Sequence, residues 1–302
     1  MEWNWMAPAL GSPLVYAAVS IGDKVILSRA AIPLASFYFH VGFSQLAIAA
    51  IVLAVNPIHS LPWDVGLMAY GAGFIWRLAL TLMFWVLKRE EVSRVTPVWQ
   101  SSPIFTAILA VLFLGETLTW NLWLAILLVV AGAAAVSVDL TRRGSGSVLR
   151  PTFLMLIAGA MLIGTAQMLL KQVSDDLSVW HSMAIRGLGL FTSLGLPYAR
   201  PSNLIALARY LAVPRQGLML IGAETIGPLF GNLMLLTAIA NGPVSLVSAL
   251  IGTRPVFVLA GTVLLGLTAK GLLSDRMGKS DVLVKGLSTC AVIGGIALIA
   301  YG

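Results

Sequence analysis

Three ionisable side chains lie deep inside long apolar stretches of the chain, where charged groups are costly. Arg77, Glu224 and Arg254 occupy these positions. A charged residue at the centre of a membrane helix costs about 2.5–3.5 kcal/mol on insertion scales, so such residues are candidates for function. An arginine can bind a carboxylate or phosphate through paired hydrogen bonds, whereas a buried glutamate can bind an amine or carry a coupling proton. The three residues therefore predict a binding site for a small solute.

Polar and aromatic residues in the same apolar stretches extend the candidate substrate-binding site. They could hydrogen-bond a solute or form an apolar wall around it: Gln100, Ser101, Trp76, Asn232 and Gln167. Asp23 joins Glu224 as a candidate for binding the coupling ion, although a charge pair with Lys24 at the end of a helix would account for it equally well. A purely structural salt bridge between Glu224 and the arginines is the alternative to a binding site.

The deep charges sum to a positive excess. Arg186, which is expected to contact lipid headgroups or another helix, adds a third arginine to the apolar stretches, against Glu224. An uncompensated charge in an apolar medium is unfavourable. The substrate is therefore expected to bring negative charge, as a small anionic or zwitterionic metabolite, and amino acids are the leading class.

The composition explains where these residues lie. Of the 302 residues, 59% are hydrophobic and 10% are charged, whereas soluble domains carry about 25% charged residues. A helix that spans a bilayer needs about 20 apolar residues. The pattern predicts an all-α integral membrane protein with ten transmembrane helices, at residues 11–29, 34–55, 65–87, 94–115, 121–139, 152–171, 178–199, 217–240, 243–267 and 282–301.

A basic, Gly/Ser-rich segment divides the ten stretches five and five. We expect a first five-helix repeat at 1–140, a linker at 141–151 and a second repeat at 152–302. The Ser102-Pro-Ile-Phe motif in the fourth stretch is echoed by Arg254-Pro-Val-Phe in the ninth. With five helices per repeat, the second copy enters the membrane from the opposite side. This is the inverted-repeat plan of many secondary transporters.

The basic residues are distributed unevenly between the two sides of the predicted membrane. Fifteen of the 19 Lys and Arg residues fall in or beside the odd-numbered loops, while the even-numbered loops and both termini together carry only Lys171. Loops rich in Lys and Arg face the cytoplasm in most membrane proteins. The odd-numbered loops are therefore predicted to be cytoplasmic and both termini external, in a multi-pass protein of the inner cell membrane.

The sequence argues against several classes of function. The net charge of +7 is spread over short loops, so nucleic-acid binding is not expected. No HExxH, GxSxG or phosphate-binding P-loop sequence occurs, so we do not expect an enzyme. The lone Cys290 cannot form an internal disulfide or a cysteine metal cluster, and no cofactor or metal is expected. The expected partners are a small-molecule substrate and the lipid bilayer, with the protein a monomer or homodimer.

The segment 94–119 resembles a known family signature. Its Ser102-Pro-Ile-Phe helix ends in Leu114-Gly-Glu116 and precedes a Gly-containing fifth span, which is similar to the signature of the drug/metabolite transporter superfamily, EamA branch. The resemblance extends over essentially the whole chain as ten helices in two fives. Glu116 itself is expected to lie between the fourth and fifth helices, where a carboxylate complements the helix dipole.

The family resemblance also implies a function and a site. In this family helices one, three, four, six, eight and nine line a central cavity, which would place Arg77, Glu224 and Arg254 near one another. The implied function is secondary transport by alternating access, with export as the expected direction. The alternative is a flippase or channel-like permease for a sugar phosphate, a drug-like compound or a lipid-linked group. Family members usually have cytoplasmic termini, which conflicts with the charge distribution of this chain.

Overall fold

The computed structural model describes residues 3–29, 32–87, 89–90, 92–137, 151–268 and 279–301 of the chain. These residues form α-helices joined by short turns, and no β-strand occurs among them. The all-α class that the composition predicts is thus confirmed. The α-helices are α1 Met6–Arg29, α2 Leu34–Val55, α3 Trp63–Leu87, α4 Val92–Trp99, α5 Ser102–Phe113, α6 Trp120–Val136, α7 Pro151–Gln172, α8 Val179–Leu190, α9 Pro201–Leu211, α10 Pro214–Ile221, α11 Gly227–Asn241, α12 Val244–Ile251, α13 Arg254–Thr268 and α14 Lys279–Tyr301.

Every predicted membrane span coincides with helical structure. Two shorter apolar helices, Pro97–Phe113 and Trp120–Val136, match the fourth and fifth predicted spans. Large apolar side chains on the spans remain exposed, which suits contact with lipid tails; examples are Val55, Leu112 and Leu124. Within the described residues, six helical stretches are long and apolar enough to cross a membrane: Leu34–Val55, Trp63–Met83, Pro151–Gln172, Pro214–Asn241, Val244–Leu264 and Leu283–Tyr301.

The fourth and ninth spans are each interrupted directly before a proline motif. Residues 100–101 separate α4 from α5, and residues 252–253 separate α12 from α13. Pro103 and Pro255 are the second residues of the helices that follow, where the missing N–H removes no helical hydrogen bond. The proline also disfavours a continuous helix through the residues before it. The motif shared by the two sequence halves thus produces the same break twice.

The seventh and eighth spans contain widened helical turns. After α8 the chain continues as a π-helix at Phe191–Gly195, and a second π-helix at Gly222–Ile226 joins α10 to α11. Turns of this kind are rare and occur frequently at functional sites. Between the two spans, α9 is a separate short helix that begins at Pro201.

The described helices group into two compact units, each assembled from both halves of the sequence. In the first unit α1 packs on α11 and α2 on α8, whereas in the second α6 packs on α14 and α5 on α12. The division into repeats at 1–140 and 152–302 stays a prediction, and most of the predicted linker at 141–151 lies outside the described residues. The first unit comprises Met1–Arg77 and Leu169–Asn241, and the second comprises Leu78–Met168 and Gly242–Gly302.

Candidate functional site

Arg186 of α8 lies at the centre of a buried cluster in the first unit. Only 3% of the residue is exposed. Its Nη1 atom donates a hydrogen bond of 2.8 Å to Oδ1 of Asn232 in α11. Its Cζ atom lies 5.3 Å from the ring centre of Trp76 in α3. Asn232 and Trp76, two predicted site residues, are thus brought together by an arginine that the sequence did not mark as part of the site.

The position of Arg186 depends on close packing between α3 and α8. A Cβ atom built on Gly73 would overlap the backbone oxygen of Arg186, and one built on Gly189 would overlap the backbone oxygen of Tyr70. The absence of side chains lets the two helix backbones approach closely. Trp76 follows Gly73 by three residues and Gly189 follows Arg186 by three, so each of these two side chains shares a helix face with a contact glycine.

Arg77, the next residue of α3, is held by an aromatic side chain of α2. Its Cζ atom lies 5.5 Å from the ring centre of Tyr38, and that ring centre lies 5.4 Å from the ring centre of Tyr198. A guanidinium within about 6 Å of an aromatic centroid is attracted by the negative face of the ring. Arg77 is half-buried, and the contact with Tyr38 orients its guanidinium.

Glu224 is buried within the π-helix at Gly222–Ile226, with 5% of the residue exposed. Helix α2 contacts this turn at two points. The Oγ atom of Ser44 donates to the backbone oxygen of Glu224 at 3.2 Å, and Oγ1 of Thr225 lies 3.2 Å from Nε2 of His40. Because His40 and Ser44 are four residues apart, they lie on the same face of α2. A buried carboxylate in a widened helical turn suits binding of a proton or an amine.

Asp23, the second candidate for binding the coupling ion, is half-buried near the end of α1. The preceding residue, Gly22, packs against the same π-helix, because a Cβ atom built on it would lie 3.1 Å from Cβ of Ala223. The two acidic candidates therefore each follow a residue of this contact in the sequence: Asp23 follows Gly22, and Glu224 follows Ala223. The side chain of Lys24 lies outside the described part of the chain, so its pairing with Asp23 stays a prediction.

Two predicted site residues of the second unit, Gln100 and Ser101, lie in the break between α4 and α5. Nε2 of Gln100 donates a hydrogen bond of 2.9 Å to the backbone oxygen of Gly252, which lies in the break between α12 and α13. Oγ of Ser101 donates one of 2.6 Å to the backbone oxygen of Val98. Interrupting a membrane helix leaves carbonyl groups that need donors. Gln100 thereby connects the two breaks directly.

Gln167 of α7 belongs to a buried polar cluster in the second unit. Oγ of Ser248 donates to Oγ1 of Thr106 at 3.1 Å, and Oγ1 of Thr106 lies 3.5 Å from Oε1 of Gln167. None of the three residues is more than 2% exposed. Buried polar groups avoid a desolvation penalty when they bond to each other. Gln167 therefore stabilises the contact between α5, α7 and α12, besides being a predicted site residue.

Arg254 is the first residue of α13 and follows the break directly. It is half-buried and belongs to the second unit, whereas Arg77 and Glu224 belong to the first. The proximity of these three residues therefore stays a prediction. A cation at a helix N-terminus does not stabilise the helix, because the helix dipole is positive at that end. Helix stability therefore does not explain the position of Arg254, and its role as a binding residue stays a prediction.

The acidic residue of the Leu-Gly-Glu signature caps a helix of the second unit. Its carboxylate accepts hydrogen bonds from the backbone nitrogens of Val244 at 2.6 Å and Ser245 at 3.3 Å, and another from the hydroxyl group of Ser245. These N–H groups begin α12 and have no partner within the helix. Glu116 lies between the fourth and fifth spans as expected, but its carboxylate caps the start of the ninth span rather than that of the fifth. Gly115 makes the required turn, with a φ of +67° that favours glycine.

Replacing Glu116 with alanine is expected to lower the free energy of unfolding by about 1–2 kcal/mol, because the start of α12 loses a charged capping group. Thermal unfolding of the detergent-purified protein measures the effect. Asp175→Ala, at an exposed turn position, is the control and should leave the unfolding temperature unchanged. An unchanged unfolding temperature for Glu116→Ala would show that the cap does not stabilise the helix.

Comparisons with known proteins identify the relatives of the chain. A model of the EamA-like transporter family matches residues 3–138. Among solved structures, 28 chains match. One of them, described as "Crystal structure of protein", is similar with a TM-score of 0.72 over 99% of this chain and 97% of that chain, at 15% sequence identity. Likeness at this identity shows the fold alone. No curated protein sequence matches the chain.

The family match confirms the resemblance seen in the sequence. It covers the first five predicted spans, including the Leu114-Gly-Glu116 signature, and it is consistent with the drug/metabolite transporter superfamily. The match and the apolar helices agree with a ten-helix membrane fold. Over residues 3–138 the chain is accordingly similar to the EamA-like transporters, a family of membrane transporters and not of enzymes, and its apolar helices are those of a multi-pass membrane protein.

Proposed function

We propose that the protein is a secondary transporter that carries a small anionic or zwitterionic metabolite across the inner cell membrane by alternating access. The paired helix breaks are the observation that carries this proposal. Spans four and nine are interrupted at equivalent proline motifs, and Gln100 bonds to the backbone of Gly252 across the two breaks. Interrupted helices at the interface of two repeats form the binding sites of many secondary transporters.

The charge of the buried side chains supports the proposed substrate class. The first unit contains Arg77 and Arg186 in its membrane helices, and each guanidinium lies against a neutral aromatic ring. Arg254 adds a further cation in the second unit. In this proposal an arginine binds the substrate carboxylate, and Glu224 binds the substrate amine or carries the coupling proton. Amino acids combine both groups, and export is the proposed direction.

The proposed substrate-binding residues include Trp76 and Asn232, which contact Arg186 in the first unit. They also include Gln100, Ser101 and Gln167, which lie in the second unit. Asp23 remains a second candidate for the coupling ion. The odd-numbered loops are proposed to be cytoplasmic, on the distribution of Lys and Arg.

One observation favours the alternative, a flippase or permease for a drug-like or lipid-linked compound. The first unit contains a pocket of about 760 Å³ between the ends of α2, α3 and α8. Apolar side chains make up most of its wall, and a pocket of this character suits an apolar ligand. Residues that line it include Leu53, Ile58, Tyr70, Ile185 and Leu188.

Uptake into proteoliposomes tests the proposed function. The purified protein would be offered labelled amino acids, dicarboxylates, a sugar phosphate, a neutral sugar and a cationic drug, with and without a pH gradient. We expect amino acids to accumulate, with rates that depend on the gradient, because Glu224 supplies a protonatable group in the membrane. Liposomes without protein are the control. Accumulation of the cationic drug alone would support the alternative, and no accumulation of any solute would exclude transport of these classes.

A further inference from the structure

Arg186 differs from an ordinary buried arginine in the partners that surround it. Its hydrogen bond goes to the neutral amide of Asn232, and its guanidinium lies beside the neutral ring of Trp76. The phenol of Tyr16 in α1 lies near it. Within the part of the chain that the structure describes, it forms no ion pair with a carboxylate, and its buried Nε atom has no hydrogen-bond acceptor.

Such an arrangement is unfavourable unless something compensates the charge. Burying a cation without an anion is costly, and leaving a buried N–H donor without an acceptor adds a further penalty. The close approach of α3 to α8 involves the backbone of residue 186, which Gly73 of α3 contacts. The missing component is therefore an anionic group with acceptor oxygens.

We propose that Arg186 binds the carboxylate of the transported solute, with Asn232 orienting the guanidinium and Trp76 supporting its face. This inference rests on the proposed function and names the contact that distinguishes an acid from its amide. A guanidinium presents parallel N–H donors that match the two oxygens of a carboxylate. The Nε atom supplies one of these donors and an Nη atom the other.

The cluster also connects solute binding to helix movement. Tyr16, Trp76, Arg186 and Asn232 come from α1, α3, α8 and α11, all within the first unit. Because Arg186 is only 3% exposed, a carboxylate reaches it when these helices separate locally. Binding therefore favours a conformation that differs from the closed cluster, as a ligand-driven population shift requires.

Ligand-dependent thermal unfolding of the detergent-purified protein tests this assignment without relying on transport. The probes are phenylalanine, leucine and alanine, the carboxamide of each, and inorganic phosphate. For wild type we expect at least one acid to bind about 10–100-fold more tightly than its amide, the range for a hydrogen bond to a charged group. Arg186→Gln should bind acid and amide with the same weak affinity. Arg209→Gln, on the exposed side of α9, is the matched control and should keep the preference.

Arg186→Lys is the second variant, in case the glutamine protein does not fold. It retains the charge but lacks the paired donors, so its preference for the acid should fall below that of wild type. An unchanged preference in either variant, no preference in wild type, or stabilisation by phosphate alone would overturn the assignment. Acid-selective binding without any uptake would contradict the proposed function and leave this site intact. If wild type takes up acids, but the Arg186→Gln variant binds those acids with the same affinity as wild type, the result would contradict this site and leave the proposed function intact.

Discussion

Glu224→Gln is expected to abolish pH-driven transport while the protein still folds and inserts into the membrane. Glutamine has the same shape and keeps an acceptor oxygen, but it cannot gain or lose a proton. The backbone contact with Ser44 involves the backbone oxygen of residue 224, so the substitution leaves it in place. The variant therefore removes the ionisable group from the π-helical turn and keeps the contact with Ser44. Uptake into proteoliposomes with an imposed pH gradient measures the effect.

Ser44→Ala is the matched control for this experiment. It removes the hydrogen bond to the π-helical turn and keeps the carboxylate, so it should retain most of the transport activity. Exchange of solute without a pH gradient separates the two roles proposed for Glu224. A glutamine variant that still exchanges solute has lost proton coupling, whereas one that does not has lost binding of the substrate amine. Full pH-driven uptake by Glu224→Gln would remove this residue from the site.

Arg254→Ala is expected to abolish transport of the carboxylate solute with no loss of protein from the membrane. The residue begins α13 directly after the break, where its charge opposes the helix dipole, so alanine should not destabilise the helix. What the variant loses is a guanidinium beside the interrupted backbone. Initial uptake rates at several solute concentrations, with membrane content measured by immunoblot, provide the test.

Two further variants serve as comparisons for Arg254→Ala. Arg254→Lys keeps the charge but not the paired donors, and it should transport more slowly than wild type and faster than the alanine variant. Arg209→Ala, on the exposed side of α9, removes an arginine outside the predicted spans and should leave transport unchanged. Normal transport by Arg254→Ala would show that the cation at this break does not contact the solute.

The ten spans could be predicted from the sequence because apolar length alone specifies a membrane helix. The interruptions near residues 100 and 252 could also be anticipated, because Pro103 and Pro255 recur in equivalent motifs. The π-helical turns could not be predicted from the sequence. The segment Gly222-Ala-Glu-Thr-Ile contains no residue that requires a widened turn, and its geometry depends on contacts with α1 and α2. The cap formed by Glu116 likewise joins residues 128 positions apart in the sequence.

The candidate site was predicted in part, residue by residue. Trp76 and Asn232 were identified as polar or aromatic positions in apolar stretches, but their common partner was not. Arg186 satisfies the same criterion as Arg77, since both are arginines within predicted spans. Its environment without a carboxylate among the described residues appears only after α3 and α8 are packed. The glycines three residues from Trp76 and Arg186 were the available sequence signal for that contact.

Solute counterflow tests the central claim of alternating access most directly. Proteoliposomes loaded with a high concentration of an unlabelled transported amino acid are diluted into medium with a trace of the labelled form, without any ion gradient. A carrier that exposes one site to each side in turn returns loaded with label, so we expect the internal label to rise transiently above its equilibrium level and then decline. A channel-like permease would let the label approach equilibrium without this overshoot, and that result would contradict the account.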